Sequence, residues 1–163
     1  MRHRRGFTLI ELIVVVIVLG VLLAIIVPRL LASTDDANAK LIAKAAKDIR
    51  DAVAMGKLKC LAQLSSAASA SPDTQNILNS LSDSTCQVLP QNAFQVESNY
   101  AKVKDFGIQT DLQMPTSVLN VVIDCKGSDS ICGKVREQLN EMYGGGTCPN
   151  APSNGFLTCS LQI

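Results

Sequence analysis

Residues 7–27 form an unbroken apolar run of 21 positions with a single charged member, Glu11. At about 1.5 Å of rise per residue, a helix of this run is about 31 Å long, close to the thickness of bilayer hydrocarbon. A helix apolar on every side must sit in lipid or among other apolar surfaces. Arg2, Arg4 and Arg5 precede the run and Pro28 ends it. By the positive-inside rule the N-terminus stays cytoplasmic and everything after Pro28 lies outside. At 163 residues, the chain has room for one ordinary domain besides this segment.

A secretory signal peptide has a shorter apolar core, about 7–15 residues, followed by small residues at an A-x-A-like site. Leu30-Leu31-Ala32-Ser33 matches that site poorly. A plain membrane anchor fits the length but leaves Glu11 unexplained. A carboxylate at the centre of a membrane helix costs about 2.5–3.5 kcal/mol on insertion scales, and less near an end. The run contains no Lys or Arg to neutralise it, so a partner is expected from elsewhere. Cleavage between Gly6 and Phe7 creates one: a charged α-amino group on Phe7, one helical turn from Glu11. Within one chain the two can pair along the helix; between chains, the amine of an incoming copy can meet Glu11 of its neighbour. Such a buried pair sets register more than it adds net stability.

Arg4-Arg5-Gly6-Phe7-Thr8-Leu9-Ile10-Glu11-Leu12, with aliphatics behind it and Pro28 at its end, resembles the N-terminus of a type IV prepilin. The minor pilins and the pseudopilins of type II secretion share that pattern. The resemblance covers roughly residues 1–55. It implies that residues 1–6 are a leader whose last residue, Gly6, is read by a membrane prepilin peptidase. It further implies that Phe7 becomes the N-methylated mature terminus and that Glu11 serves assembly. Pro28 is expected to mark a kink. None of these positions is catalytic. The implied fold is α+β: a long N-terminal helix, then a small disulfide-bonded head with an antiparallel sheet laid over the second half of the helix. The expected divisions are 1–6 leader, 7–28 transmembrane and assembly helix, 29–66 amphipathic continuation and 67–163 globular head.

Beyond Pro28, Ala37, Leu41, Ala45, Ile49 and Val53 recur at intervals of four, between charged positions that include Asp36, Lys40 and Lys44. This reads as an amphipathic helix with a solvated charged face, or with a charge patch for a neighbouring subunit. The apolar stripe is expected to continue through Gly56 and Leu61 to Leu64, with Ser65–Pro72 as the exit loop. Ser71 or Asp73 can cap a short helix over Thr74–Leu81. Residues 83–93 read as irregular, and 94–107 as either a short helix or a strand pair. Val118–Asp124 is a strand by its β-branched residues and partial alternation. Residues 129–143 form a helix that places Ile131, Val135, Leu139 and Met142 on one face, and Gly144-Gly145-Gly146 stops it. Phe156–Ile163 alternates as a terminal strand.

The six cysteines all fall beyond the apolar run, on the side where disulfides persist. They allow fifteen pairings, and sequence alone does not choose among them. Closure of neighbours is the expectation: Cys60–Cys86, Cys125–Cys132 and Cys148–Cys159. The last resembles the C-terminal disulfide loop of many pilins, and a loop of that size stabilises by about 3 kcal/mol in the chain-entropy account. No C-x2-C pair supports a zinc site. Asp105, Asp124 and Asp129 are candidates for calcium, as in some pseudopilins, but without a D-x-D-x-D-G pattern.

The one histidine, His3, lies within the expected leader, which removes His-dependent catalysis from the mature chain. There is no Walker loop or nucleophile elbow, so neither an enzyme nor a cofactor is expected. Loss of residues 1–6 takes away three arginines and leaves 12 basic against 14 acidic side chains, a side-chain charge of −2. That balance, with 4% aromatic residues, predicts no specific nucleic-acid contact. The expected role is a structural subunit of a type IV pilus, for adhesion, twitching motility or DNA uptake. Its partners would be other pilins in a homo- or hetero-polymer, the prepilin peptidase and an inner-membrane assembly platform. Before assembly the chain would cross the bacterial inner membrane once, head in the periplasm; afterwards it would lie in a cell-surface pilus. A pseudopilin of type II secretion is the alternative, and a membrane-anchored enzyme or receptor that borrows this N-terminus is a third reading.

Overall fold

The computed structural model describes residues 8–70, 73–114 and 117–163. It divides into two compact units, one ending at Asp35 and the other running from Asp36 to Ile163. Helix α1 spans Leu9–Lys59 and passes through Pro28 without ending. The proline offers no N–H to the carbonyl four residues back, but the flanking turns remain helical.

In the second unit, α1 buries Ala39, Ile42, Ala43, Ala45, Ala46, Ile49, Ala52, Val53 and Gly56. Ala45, Ile49 and Val53 of the expected stripe are among them, but Ala37 is exposed and Leu41 only half-buried. A strict interval of four drifts by about 40° at each step, so a straight contact face must alternate intervals of three and four. Most of the buried positions are alanine or glycine, which brings the helix close to its neighbours. A methyl group on Gly56 would lie 2.3 Å from Leu81 Cδ2.

Only Cys60 interrupts the helical path. Its N–H still donates to the Gly56 carbonyl, and its own carbonyl accepts from Leu64 N–H. Helix α2 then occupies Leu61–Ala70, so Ser65–Ala70 is helical where an exit loop was expected. Leu64 is fully buried, and Ala67, Ala68 and Ala70 favour helix strongly enough to outweigh the interspersed serines. Ser71 and Pro72 lie outside the described residues. Asp73 caps helix α3, Thr74–Ser82, by accepting from Asn76 N–H.

Five strands follow: β1 Val96–Glu97, β2 Tyr100–Val103, β3 Phe106–Gln113, β4 Val118–Asp124 and β5 Phe156–Gln162. They form one antiparallel sheet in the order β1-β2-β3-β4-β5. The ambiguous 94–107 stretch is therefore strand. Its first turn places both Ser98 and Asn99 at positive φ, and its second places Lys104 there. Neither turn carries the Asn-Gly or Asp-Gly pair that marks such hairpins in sequence, which also hid β3. Helix α4, Asp129–Tyr143, lies between β4 and β5 in the chain and begins at the Ser128 cap. It buries Ile131, Cys132, Val135 and Leu139, but Met142 is exposed. Tyr143 instead packs on the core in the last turn, with the Arg50 guanidinium 5.4 Å from its ring centre.

Along β4 and β5, Leu119, Val121, Ile123, Leu157, Cys159 and Leu161 face inward and join the buried residues of α1, α3 and α4 in one core. The β5 edge and the part of β3 beyond β2 are covered. Ser160 N–H on β5 donates to the Thr147 carbonyl, and Arg50 Nε donates to the Gln162 carbonyl. Past the end of β2, the Thr110 N–H of β3 donates to the buried Thr74 hydroxyl. Exposed N–H and C=O groups on such edges would otherwise template pairing with other chains.

Gly127 and Gly155 both adopt φ +77°, yet only Gly155 is sterically closed, since a Cβ there would lie 2.2 Å from Gly127 Cα. Gly155→Ala should therefore lower the melting temperature by roughly 10 °C or more, through both backbone strain and overlap. Gly127→Ala, which meets open space, should cost only the strain of about 1–2 kcal/mol. Thermal melts of the two variants followed by near-UV circular dichroism check the contrast; equal shifts would contradict it.

Candidate assembly surface

Helix α1 starts after Thr8, whose carbonyl accepts from Glu11 N–H at 3.1 Å. The Glu11 carboxylate turns back to the same residue: Oε2 accepts from the Thr8 hydroxyl at 3.2 Å and from Thr8 N–H at 3.4 Å. A Thr-x-x-Glu pattern at a helix start is the sequence signature of this reach-back contact. Among the described residues, the chain meets Glu11 with these two neutral donors, which the expectation of a cationic partner did not include. The first turn of a helix also favours a carboxylate through the helix dipole.

From Thr8 to Leu30 every side chain is exposed. It is the one helix among the described residues long and apolar enough to cross a membrane by length and composition. Gly20 has no atom of another element within 4 Å. The surface is thus a continuous aliphatic cylinder with one carboxylate in its first turn. Gly6 and Phe7, the expected cleavage and methylation positions, lie outside the described residues.

Farther along α1, the outward face carries ion pairs. They are Lys44–Asp48 and Lys47–Asp51, each four residues apart. Asp36 reaches Lys134 of α4 instead. The hydrogen bond and charge of Lys134 hold the Asp36 carboxyl below its ordinary value of 3.8. For Asp51, burial pushes the pKa up, but Lys47 and Arg50 outweigh it and the net shift is downward.

The structure joins Cys60 to Cys86, Cys125 to Cys132 and Cys148 to Cys159. The first clips the end of α1 to the segment after α3. The second ties the end of β4 to α4, and the third staples the loop before β5 onto β5. Of the calcium candidates, Asp124 Oδ1 accepts from Lys126 N–H and Asp129 Oδ1 from Gly155 N–H. Among the described residues no three His, Cys, Asp or Glu side chains converge as a metal site.

With this geometry in view, residues 1–27 match the model of the prokaryotic N-terminal methylation motif. The N-terminal segment is type IV pilin-like. The chain is 42% identical over 55 residues to the type IV narrow pilus major component of Thermus thermophilus, which covers 34% of this chain and 47% of that one. It is 34% identical over 85 residues to the type II secretion system core protein G of Klebsiella pneumoniae, covering 47% of this chain and 61% of the relative. The core protein G of Pseudomonas aeruginosa is 42% identical over 57 residues, 35% of this chain and 40% of that one. The chain therefore spans about half the length of the curated relatives it matches. No solved structure matches it significantly. The pilin-like N-terminus thus continues into a head made of a helix-backed antiparallel sheet with three disulfides.

The Asp36–Lys134 pair leads to a pH prediction. Because the folded Asp36 carboxyl is held below 3.8, its contribution is present above the unfolded value and is lost as pH falls through the folded one. Asp36→Asn should lower the melting temperature slightly at neutral pH, and the gap from wild type should close at the acid end. A pH-independent gap would show that the pair contributes nothing through ionisation.

Proposed function

We propose that this chain is a structural subunit of a type IV pilus, polymerising through its N-terminal helix into a surface filament. The observation that carries the reading is the wholly exposed aliphatic surface of Leu9–Leu30 with Glu11 in its first turn. Before assembly, lipid covers this surface, the helix crosses the bacterial inner membrane once and the head lies in the periplasm. During assembly, contacts with copies of the same helix replace lipid, and the α-amine of an incoming subunit meets Glu11. Head-to-tail contacts of this kind build an open helical polymer instead of a closed ring.

In this reading Gly6–Phe7 is the bond cut by the prepilin peptidase, and Phe7 is then N-methylated. An inner-membrane platform and a separate ATPase drive extraction. The chain itself is not an enzyme and makes no specific nucleic-acid contact. The second reading, a pseudopilin of a type II secretion system, draws support from the two relatives named core protein G. Electron microscopy of sheared surface material separates the two, because pseudopilins do not normally form long external fibres.

Glu11→Ala should leave leader removal intact while strongly reducing incorporation into fibres, as measured by immunoblots of sheared filaments; normal fibres from this variant would refute the pairing. Gly6→Glu should leave the uncleaved precursor in the membrane. Mass spectrometry of the intact, non-reduced wild-type protein should report an N-methylated Phe7 terminus, and a mature-size Gly6→Glu product would refute the assigned cut.

A further inference from the structure

The outward face of α1 changes character after Asp51. Up to that point it is laced with the Lys44–Asp48 and Lys47–Asp51 pairs; one turn later it carries Met55 and Leu58, followed by Leu61 on α2. Leu58 is 87% exposed, Met55 51% and Leu61 49%. The Cys60 N–H bond to the Gly56 carbonyl keeps the helical path going across the join. The three side chains therefore follow one another at i+3 spacing along one ridge. Gly56 and Val53 of the same turns point into the core, so the head's own packing cannot cover this ridge.

We propose that Met55, Leu58 and Leu61 form a docking ridge for the apolar Leu9–Leu30 segment of a second copy of this chain. The inference rests on the filament reading and names a contact within it. Two arguments select the occupant. The first is chemical: the Leu9–Leu30 surface is the one large aliphatic surface left wholly uncovered among the described residues. Like the ridge, it carries no charge from Leu12 to Val27.

The second argument is size. A ridge of three side chains offers only a few hundred Å², whereas a stable dimer buries on the order of 1,200 Å² or more in total. The ridge is therefore too small to hold two heads together alone. It is sufficient as an extension of a helix-to-helix contact made mainly elsewhere. A lipid surface beside Lys57 and Lys59 is the competing occupant.

A photoreactive benzoylphenylalanine replacing Leu58 in the full-length chain tests this, expressed in cells and irradiated in assembled filaments. The expected product is a covalent dimer whose adduct peptide maps within residues 9–30 of the other copy. In parallel, Leu58→Lys should keep the wild-type melting temperature and membrane insertion while filament incorporation falls by about tenfold or more, since an ammonium would be buried in an apolar contact. Adducts on phospholipid or on another head, or wild-type incorporation of Leu58→Lys, overturn the ridge. Should the wild-type chain form no polymer at all, the filament reading falls and the ridge with it. A wild-type polymer with adducts elsewhere sinks the ridge alone.

Discussion

A single carboxylate on an otherwise aliphatic helix is the constraint on which the rest of this molecule depends. Glu11 is too costly to leave unsolvated in hydrocarbon, and among the described residues it meets the hydroxyl and amide of Thr8. Two neutral donors can orient a carboxylate and lower the cost of drying it. They leave its charge to be balanced by something that arrives later. An apolar surface with an unanswered charge favours a neighbour whose cation is in the right register over one that merely offers grease. Hydrophobic contact alone is non-directional, so the acid supplies the specificity that the aliphatic residues lack.

The second unit answers a different demand. An exposed strand edge invites pairing with other chains. Here much of it is occupied from within: Thr74 reaches β3, and the Thr147 carbonyl and Arg50 reach β5. The first edge strand, Val96–Glu97, is only two residues long, which limits what another chain could pair with. Small residues along the buried face of α1 join the strands and the other helices in one core.

Much of this could be read from the sequence where the chain's local preferences agree with its tertiary setting. The strand over Val118–Asp124 and the helix over 129–143 carry β-branched alternation and a capped apolar face, and both stand where periodicity puts them. Alanine-rich helix was harder. With so many alanines between 37 and 54, several stripes look equally apolar, and only burial in the tertiary core distinguishes Ala39 and Ala43 from Ala37. The β1–β2–β3 region hid behind turns that use Ser98-Asn99 and Lys104 at positive φ. There the long-range ladder overrides local propensity. The Thr8–Glu11 contact is legible as a Thr-x-x-Glu spacing at a helix start.

The three cystine bridges span 26, 7 and 11 positions of the chain and never overlap. Each loop is complete before the next begins, so every pair of thiols can close as soon as its own segment is made, without waiting for distant thiols or unpicking wrong partners. Oxidation of the head can therefore advance segment by segment along the chain.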